Sequence, residues 1–270
     1  VLILSLFPGV GLLDIAFELE GFCVVRGPDL LWGGDVRRFS PPAGRFDGVI
    51  GGPPCQDFSA ARRDAPTGYG LEMLDEFRRI VEAAAPAWWL MENVDRVPDV
   101  QIDGYGWQRL DIQLAWYTPV RRLRHIQFGH RSPGITLQIP RGSVAPNAEP
   151  AALACDSRPW EELRRLQGLP DDFDLSPFTA EAKRRAIGNG VPITMGRVLA
   201  RAVREACGMS VDRRPIPQPE SSPPRLCACG CGRRVTSPAA KYVSGTCRQR
   251  AKRRRDAAAA GPVTRRSPAT

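Results

Sequence analysis

Three stretches of the chain carry side chains capable of covalent or proton chemistry. In "GGPPCQDFSAARR" (51–63), two glycines and two prolines lead straight to Cys55. Such a run can continue neither a helix nor a central strand. "WWLMENV" (88–94) places Glu92 and Asn93 at the end of an apolar run. "VRRLRHIQFG" (120–129) adds Arg121, Arg122 and Arg124, of which Arg122 and Arg124 share a face at strand spacing. A thiol, a carboxyl and two guanidiniums at strand ends suit attack on an electron-poor ring. The thiol adds, the carboxyl handles a ring nitrogen, and the arginines hold an anion. Taken alone, a cysteine in a tight bend is more often buried and inert. A thiol of ordinary pKa, about 8.5, is mostly protonated at neutral pH.

These residues need elements to carry them. "VLILSLF" (1–7) reads as a continuous apolar strand, "LLDIAFELEGF" (12–22) as a helix with a glycine stop, and "CVVR" (23–26) as a short second strand. "FDGVIGG" (46–52) is a third strand, ending in the Cys55 turn. "GLEMLDEFRRIVEAAA" (70–85) is an amphipathic helix, "AWWLMENV" (87–94) a strand and "WQRLDIQLAW" (107–116) a helix. Strand and helix alternate, which favours a parallel sheet covered on both faces. Further on, "RRLRHIQFG" and "GITLQI" (134–139) read as strands, and 140–158 lacks periodicity. Helices follow at 158–168, 179–187 and 192–208, the last with Pro at its start and Gly past its end.

The glycine turn "LFPGVG" joins the first strand to the first helix. Gly9 and Gly11 there let backbone approach a ligand beside a helix N-terminus. Asp29 lies about twenty residues on, where an acid meets ribose hydroxyls. Asp35, closing "WGGD", could face an adenine amino group. Each aspartate could equally be a plain turn residue.

Composition bounds the remaining possibilities. The 270 residues are 43% apolar, enough for a packed core. No run approaches the roughly 18–20 apolar residues of a membrane span, and "VLILSLFPG" reads as a buried strand rather than a signal peptide. The net charge of +9 is uneven: from Arg225 onward twelve basic residues face one acid, while residues 1–224 are close to neutral. A basic block of this kind is a contact for a polyanion, nucleic acid first, or else a solvated tail. Of eight cysteines, Cys23, Cys55, Cys155 and Cys207 are scattered, whereas Cys227, Cys229, Cys231 and Cys247 are bunched. Free thiols in a reducing cytoplasm and one metal cluster are expected.

In order, "LSLFPGVG", "GGPPCQDFS", "MENV", "RRLR", "RLQGLPDDF" and "AIGNGVP" resemble the DNA cytosine-5 methyltransferases. The resemblance spans roughly 1–205. It implies an α/β fold, a doubly wound and mostly parallel sheet of the S-adenosylmethionine-dependent methyltransferase type. S-adenosylmethionine would lie by Phe7, Gly9, Gly11, Val36 and Pro54, with Asp29 on its ribose, Asp35 on its adenine, and Asn189 and Val191 completing the wall. A cytosine swung out of double-stranded DNA would be attacked at C6 by Cys55, with Glu92 on N3 and the amino group and Arg122 and Arg124 positioning base and phosphate. Two departures stand out. Val120 replaces a glutamine usual before the arginines. Only about thirty residues separate "QFG" from "RPWEEL", where relatives place a longer target-recognition region.

The expected plan is a cofactor-binding catalytic core (1–130), a reduced target-recognition region (131–158), helices returning to the core (159–208), a Pro-rich linker (209–225), a Cys-rich basic module (226–256) and a disordered tail (257–270). Cys227, Cys229, Cys231 and Cys247 would form a tetrahedral thiolate zinc site, and "RQRAKRRR" would neutralise phosphates. A cytoplasmic, monomeric enzyme of a restriction-modification system is the reading carried forward. An RNA cytosine-5 enzyme, a catalytically silent DNA-binding relative and a nicotinamide oxidoreductase are its rivals; the last lacks the full G-x-G-x-x-G.

Overall fold

The computed structural model describes residues 1–59, 64–144, 146–209, 227–229, 231, 233 and 241–259. They fall into two units, Val1–Val211 and Asp212–Thr270. The linker and residues 260–270 lie outside the described residues, as do Arg62 and Arg63 beside the Cys55 turn.

In the first unit, β1 (Leu2–Leu6) leads through the glycine turn into α1 (Leu12–Leu19) and back to β2 (Cys23–Arg26). β1 is apolar at nearly every position because neighbours cover both its faces, and residues 3–6 are buried. The segment between β2 and β3 (Gly48–Gly51) holds only two short 3-10 turns, Leu30–Trp32 and Val36–Arg38. α2 (Tyr69–Ala84) then returns the chain to β4 (Trp88–Asn93). Its buried residues Met73, Leu74, Phe77, Ile80, Val81 and Ala84 recur at helical spacing.

The chain then departs from strand–helix alternation. β5 (Gly106–Gln113), β6 (Val120–Arg121) and β7 (Leu123–His130) follow, with β8 (Glu149–Pro150) pairing β6 in a separate two-stranded sheet. α3 (Trp160–Leu166), α4 (Ala180–Asn189) and α5 (Ile193–Ala206) complete the unit. The main sheet has the order β2-β1-β3-β4-β7-β5, parallel among the first four and antiparallel at β7 and β5. α1 and α5 pack into one core cluster and α2 into the other, so both faces are covered.

Two expectations are corrected. Residues 107–116 are mainly a strand, not a helix. Leu110, Ile112 and Leu114 alternate toward one core, while Trp107, Leu110 and Leu114 also fit a helical stripe; pairing of eight residues with β7 decides. "GITLQI" forms no ladder. Instead the Gln108 side chain exchanges two bonds with Leu137, accepting from its N–H at 2.8 Å and donating to its carbonyl at 3.1 Å.

The paired tryptophans show how period-two geometry builds the centre. Trp88 and Trp89 belong to opposite core clusters. A Cβ on Gly48 would come within 2.2 Å of the Trp88 indole, and one on Gly129 within 2.2 Å of that of Trp89. Each ring therefore lies flat across a neighbouring glycine. Gly196 similarly brings α5 onto α1, where a Cβ would stand 2.5 Å from that of Ala16.

In the second unit, α6 (Gly245–Ala259) follows the cysteines and overlaps the start of the tail expected to be disordered.

Candidate active site

The sheet order reverses between β1 and β3, and a crevice opens at their carboxyl ends. A cavity of about 680 Å³ lies there, within the size range of small-molecule sites. Phe7, Gly9, Asp29, Asp35, Val36 and Pro54 line it, with Asn189 and Val191 from the far end of the chain. Cys55, Glu92 and Arg124 line the same cavity.

The β1 turn is strained into shape. Phe7 has φ +55°, Gly9 +56° and Gly11 +80°; for a residue as bulky as Phe7 this is an outlier, of the kind that gathers at ligand sites. Gly9 donates its N–H to Asp29 Oδ2 at 2.9 Å, and Leu31 donates to Oδ1 at 2.8 Å. Asp29 thus fixes the glycine turn and caps a 3-10 turn while keeping lone pairs for a ligand hydroxyl. Trp32 donates its indole N–H to the Gly9 carbonyl at 2.7 Å and meets Phe178 edge-on. Asp35 forms an ion pair with Arg37 at 2.8 Å, which holds its carboxyl below the usual range. Gly11 is not part of the cavity wall. It caps α1, and a Cβ there would meet the Arg26 guanidinium at 2.9 Å.

The Cys55 turn is tied to β4. Asn93 donates its side-chain N–H to the Pro53 carbonyl at 3.0 Å, and Phe58 donates its backbone N–H to the Cys55 carbonyl at 3.0 Å. Gly52 leaves room beside Glu92: a Cβ would stand 3.4 Å from Oε2. Burial, then the nearby Glu92 charge, raises the Cys55 thiol; Arg124 and Arg122 oppose this. Burial likewise raises Glu92, against the pull of Arg124. Burial thus favours the protonated thiol at rest and makes ionisation of Glu92 harder, with the Arg124 cation opposing both. Arg124 Nε lies 2.7 Å from Glu92 Oε1, but that buried oxygen has no aligned hydrogen-bond donor. The contact is one of charge, and it leaves hydrogen-bonding capacity on Glu92 beside the cavity.

The two arginines do not act on one surface. Arg124 reaches the cavity. Arg122 is outside its wall and buried, donating to the carbonyls of Ala152 at 2.7 Å, Gly188 at 2.7 Å and Gly190 at 3.1 Å. Burial and the like charge of Arg124 pull its guanidinium down to about 9, so it remains a cation at neutral pH. Gln167, fully buried, donates to the carbonyls of Ile187 and Gly190. Together they pin the "IGNG" stretch that presents Asn189 and Val191. In sequence, Gln167 is marked only as a glutamine flanked by leucines within "RLQGLPDDF". Gln113 carries no such signal. Its Oε1 accepts from the Arg122 backbone N–H at 2.7 Å, a support for the arginine from β5, while Val120 is buried in β6.

A sequence profile described as C-5 cytosine-specific DNA methylase matches residues 33–101, the stretch that contains Cys55 and Glu92. Over those residues the chain is similar to that family. The type II methyltransferase M.HgiDI of Herpetosiphon aurantiacus is 33% identical over 162 residues, covering 47% of this chain and 52% of the relative. M.HgiGI of the same organism is 57% identical over 62 residues, covering 23% of this chain and 44% of that one. The chain thus spans about half the length of these curated relatives. Among solved structures, a prophage-encoded DNA modification methyltransferase of E. coli superposes with a TM-score of 0.60 at 16% identity, covering 77% of this chain and 99% of that one. This likeness bears on the fold, which is that of the methyltransferases.

In the second unit, the sulfurs of Cys227, Cys229, Cys231 and Cys247 all lie within 4.8 Å of one another. Tetrahedral zinc with Zn–S of about 2.3 Å needs sulfurs about 3.8 Å apart, so the set fits one ion. Val243 donates its N–H to Cys227 Sγ at 3.3 Å and Arg233 donates to Cys247 Sγ at 3.1 Å, the outer contacts a negative thiolate centre requires. Among the described residues no helix is long and apolar enough to cross a membrane.

Proposed function

We propose that this protein transfers a methyl group from S-adenosylmethionine to C5 of cytosine in double-stranded DNA. The observation that carries the reading is that Cys55, Glu92 with its unsatisfied buried oxygen, and the strained Phe7–Gly11 turn meet at one cavity.

The glycine turn, Asp29 and the Asn189–Val191 wall would hold the cofactor, which when bound supplies an electrophilic methyl group. Cys55 Sγ bonds to C6 of a cytosine turned out of the duplex, giving up its proton to water in the crevice. Glu92 gives its proton to N3, so the electron pair displaced from the C5–C6 bond makes C5 nucleophilic. Arg124 stabilises the carboxylate that Glu92 becomes. After C5 has accepted the methyl, water takes the C5 proton, the C5–C6 double bond re-forms as the C6–S pair returns to sulfur, and the N3 proton returns to Glu92; the Cys55 thiolate is reprotonated from solvent. Arg122 and Gln167 touch neither base nor thiol; they position the wall. Residues 131–158 would read the target as a reduced recognition region. The chain would work as a monomer in a prokaryotic cytoplasm, within restriction-modification.

Duplex DNA carrying 5-fluorocytosine, incubated with cofactor, should trap a covalent adduct visible by mass. The adduct should vanish in Cys55→Ser. A stable adduct formed by that variant, or transfer confined to RNA, would overturn the reading.

The reading includes one zinc ion on Cys227, Cys229, Cys231 and Cys247. It is supported by the converging sulfurs and their N–H donors, and is checked by metal content of the purified full chain.

A further inference from the structure

We infer that α6 is a sequence-independent grip on the phosphate backbone of duplex DNA, separate in its chemistry from the cytosine site. The inference rests on the proposed zinc centre, because the same cysteines set how α6 begins. Cys247 is in its first turn, and Cys247 and Ala251, one turn apart, are the buried positions among residues 245–254. Arg254, one turn further, donates to the Cys229 carbonyl at 3.1 Å. One stripe of the helix is thereby committed to the cysteine knot.

The rest of the described helix surface is polar and cationic. Thr246, Arg248, Gln249, Arg250, Lys252 and Arg253 are all exposed. Thr246, Gln249, Arg250 and Arg253 fall at i, i+3, i+4 and i+7, and with Arg254 they border a groove of about 350 Å³. An amphipathic helix that docks into protein or lipid would show apolar side chains there. This one shows guanidiniums, a hydroxyl and an amide, which are donors for phosphate oxygens. No aromatic side chain stands on this face to stack on unpaired bases, so a double-stranded backbone fits better than a single strand. The charge is also local: acidic and basic residues nearly balance before Arg225. Non-specific affinity for DNA and its salt dependence therefore belong largely to α6.

The test uses the full chain and a duplex built only of A·T pairs, which offers no cytosine. Affinity is measured across salt concentrations for the unaltered protein and for the combined variant Arg248→Gln, Arg250→Gln, Lys252→Gln and Arg253→Gln. Each lost phosphate contact should flatten the log–log salt dependence by about 0.9. Loss of two to four contacts predicts a slope shallower by roughly 2 to 3.5 and affinity at least about tenfold weaker at low salt. Zinc content and cofactor affinity should be unchanged, which shows that the variant is folded. An unchanged slope in a zinc-replete variant overturns the grip. So does a loss seen only on duplex RNA of matching sequence. A flattened slope in a chain that holds no zinc supports the grip and removes the zinc reading instead.

Discussion

Cys55 and the four C-terminal cysteines present the same functional group in opposite settings. Cys55 stands alone on a turn, held by backbone and by Asn93, with a carboxylic acid as its neighbour. Its pKa is raised, so the thiol keeps its proton until a substrate changes its surroundings. The C-terminal thiols crowd together, and hydrogen bonding to Arg233 pulls Cys231 down to about 6. On the proposed reading, one arrangement stores a nucleophile and the other stores ligands. What separates them is whether sulfurs converge. The supports differ as well. Packing and a buried arginine hold the first site, whereas among the described residues of the second the buried cluster is Cys227, Cys229, Cys247 and Ala251.

The comparison breaks first at Cys55. Replacing it with serine should lower methyl transfer on the order of 10⁴-fold or more in single-turnover assays, while zinc content stays the same. Comparable loss from replacing Cys247 would refute the division of labour. Glu92→Gln should lower kcat by about 10²- to 10⁴-fold with cofactor affinity retained. The pH dependence has a definite sign. Glu92 must be protonated to serve N3, and burial raises its pKa, so kcat should fall on the alkaline side as Glu92 ionises. That limb should disappear in the glutamine variant, whose amide does not titrate; an identical limb would assign it elsewhere. Arg122→Met removes the side-chain donor from the carbonyls of Ala152 and Gly188 and leaves Gly190 with Gln167. It should destabilise the first unit by about 3–5 kcal/mol in urea melts and weaken cofactor binding, with the metal content of the second unit unaltered. The smallest effect belongs to Cys231→Ser. It should weaken zinc retention but keep turnover at saturating cofactor and DNA within about twofold.

Local pattern made much of this legible. β1, α1, β3, α2 and β4 are marked by apolar runs, 3.6-residue stripes and Gly or Pro stops. Cys55 was marked by its stiff turn only in combination with "MENV" and "RRLR" following in order. The strand at 106–113 was not legible, because three apolar residues fit both periods and only pairing with β7 separates them. The division between Arg122 and Arg124 was hidden for a related reason. Strand spacing puts them on one face, but the partners that draw Arg122 away are carbonyls at 152, 188 and 190, supplied by chain far downstream.

Sequence by itself determined the chemistry available: a single thiol on a rigid turn, an acid at a strand end, four bunched cysteines, and a net positive charge confined to the last fifth of the chain. Side-chain type and local backbone preference are properties of short stretches, so they can be read in order. Tertiary structure alone decided which groups meet. The unsatisfied oxygen of Glu92, the pinned stretch before Val191 and the shared hold of Arg122 and Gln167 on Gly190 arise from contacts between residues tens of positions apart. Such contacts exist only once burial has brought the segments together and each enclosed polar group has found, or failed to find, a partner.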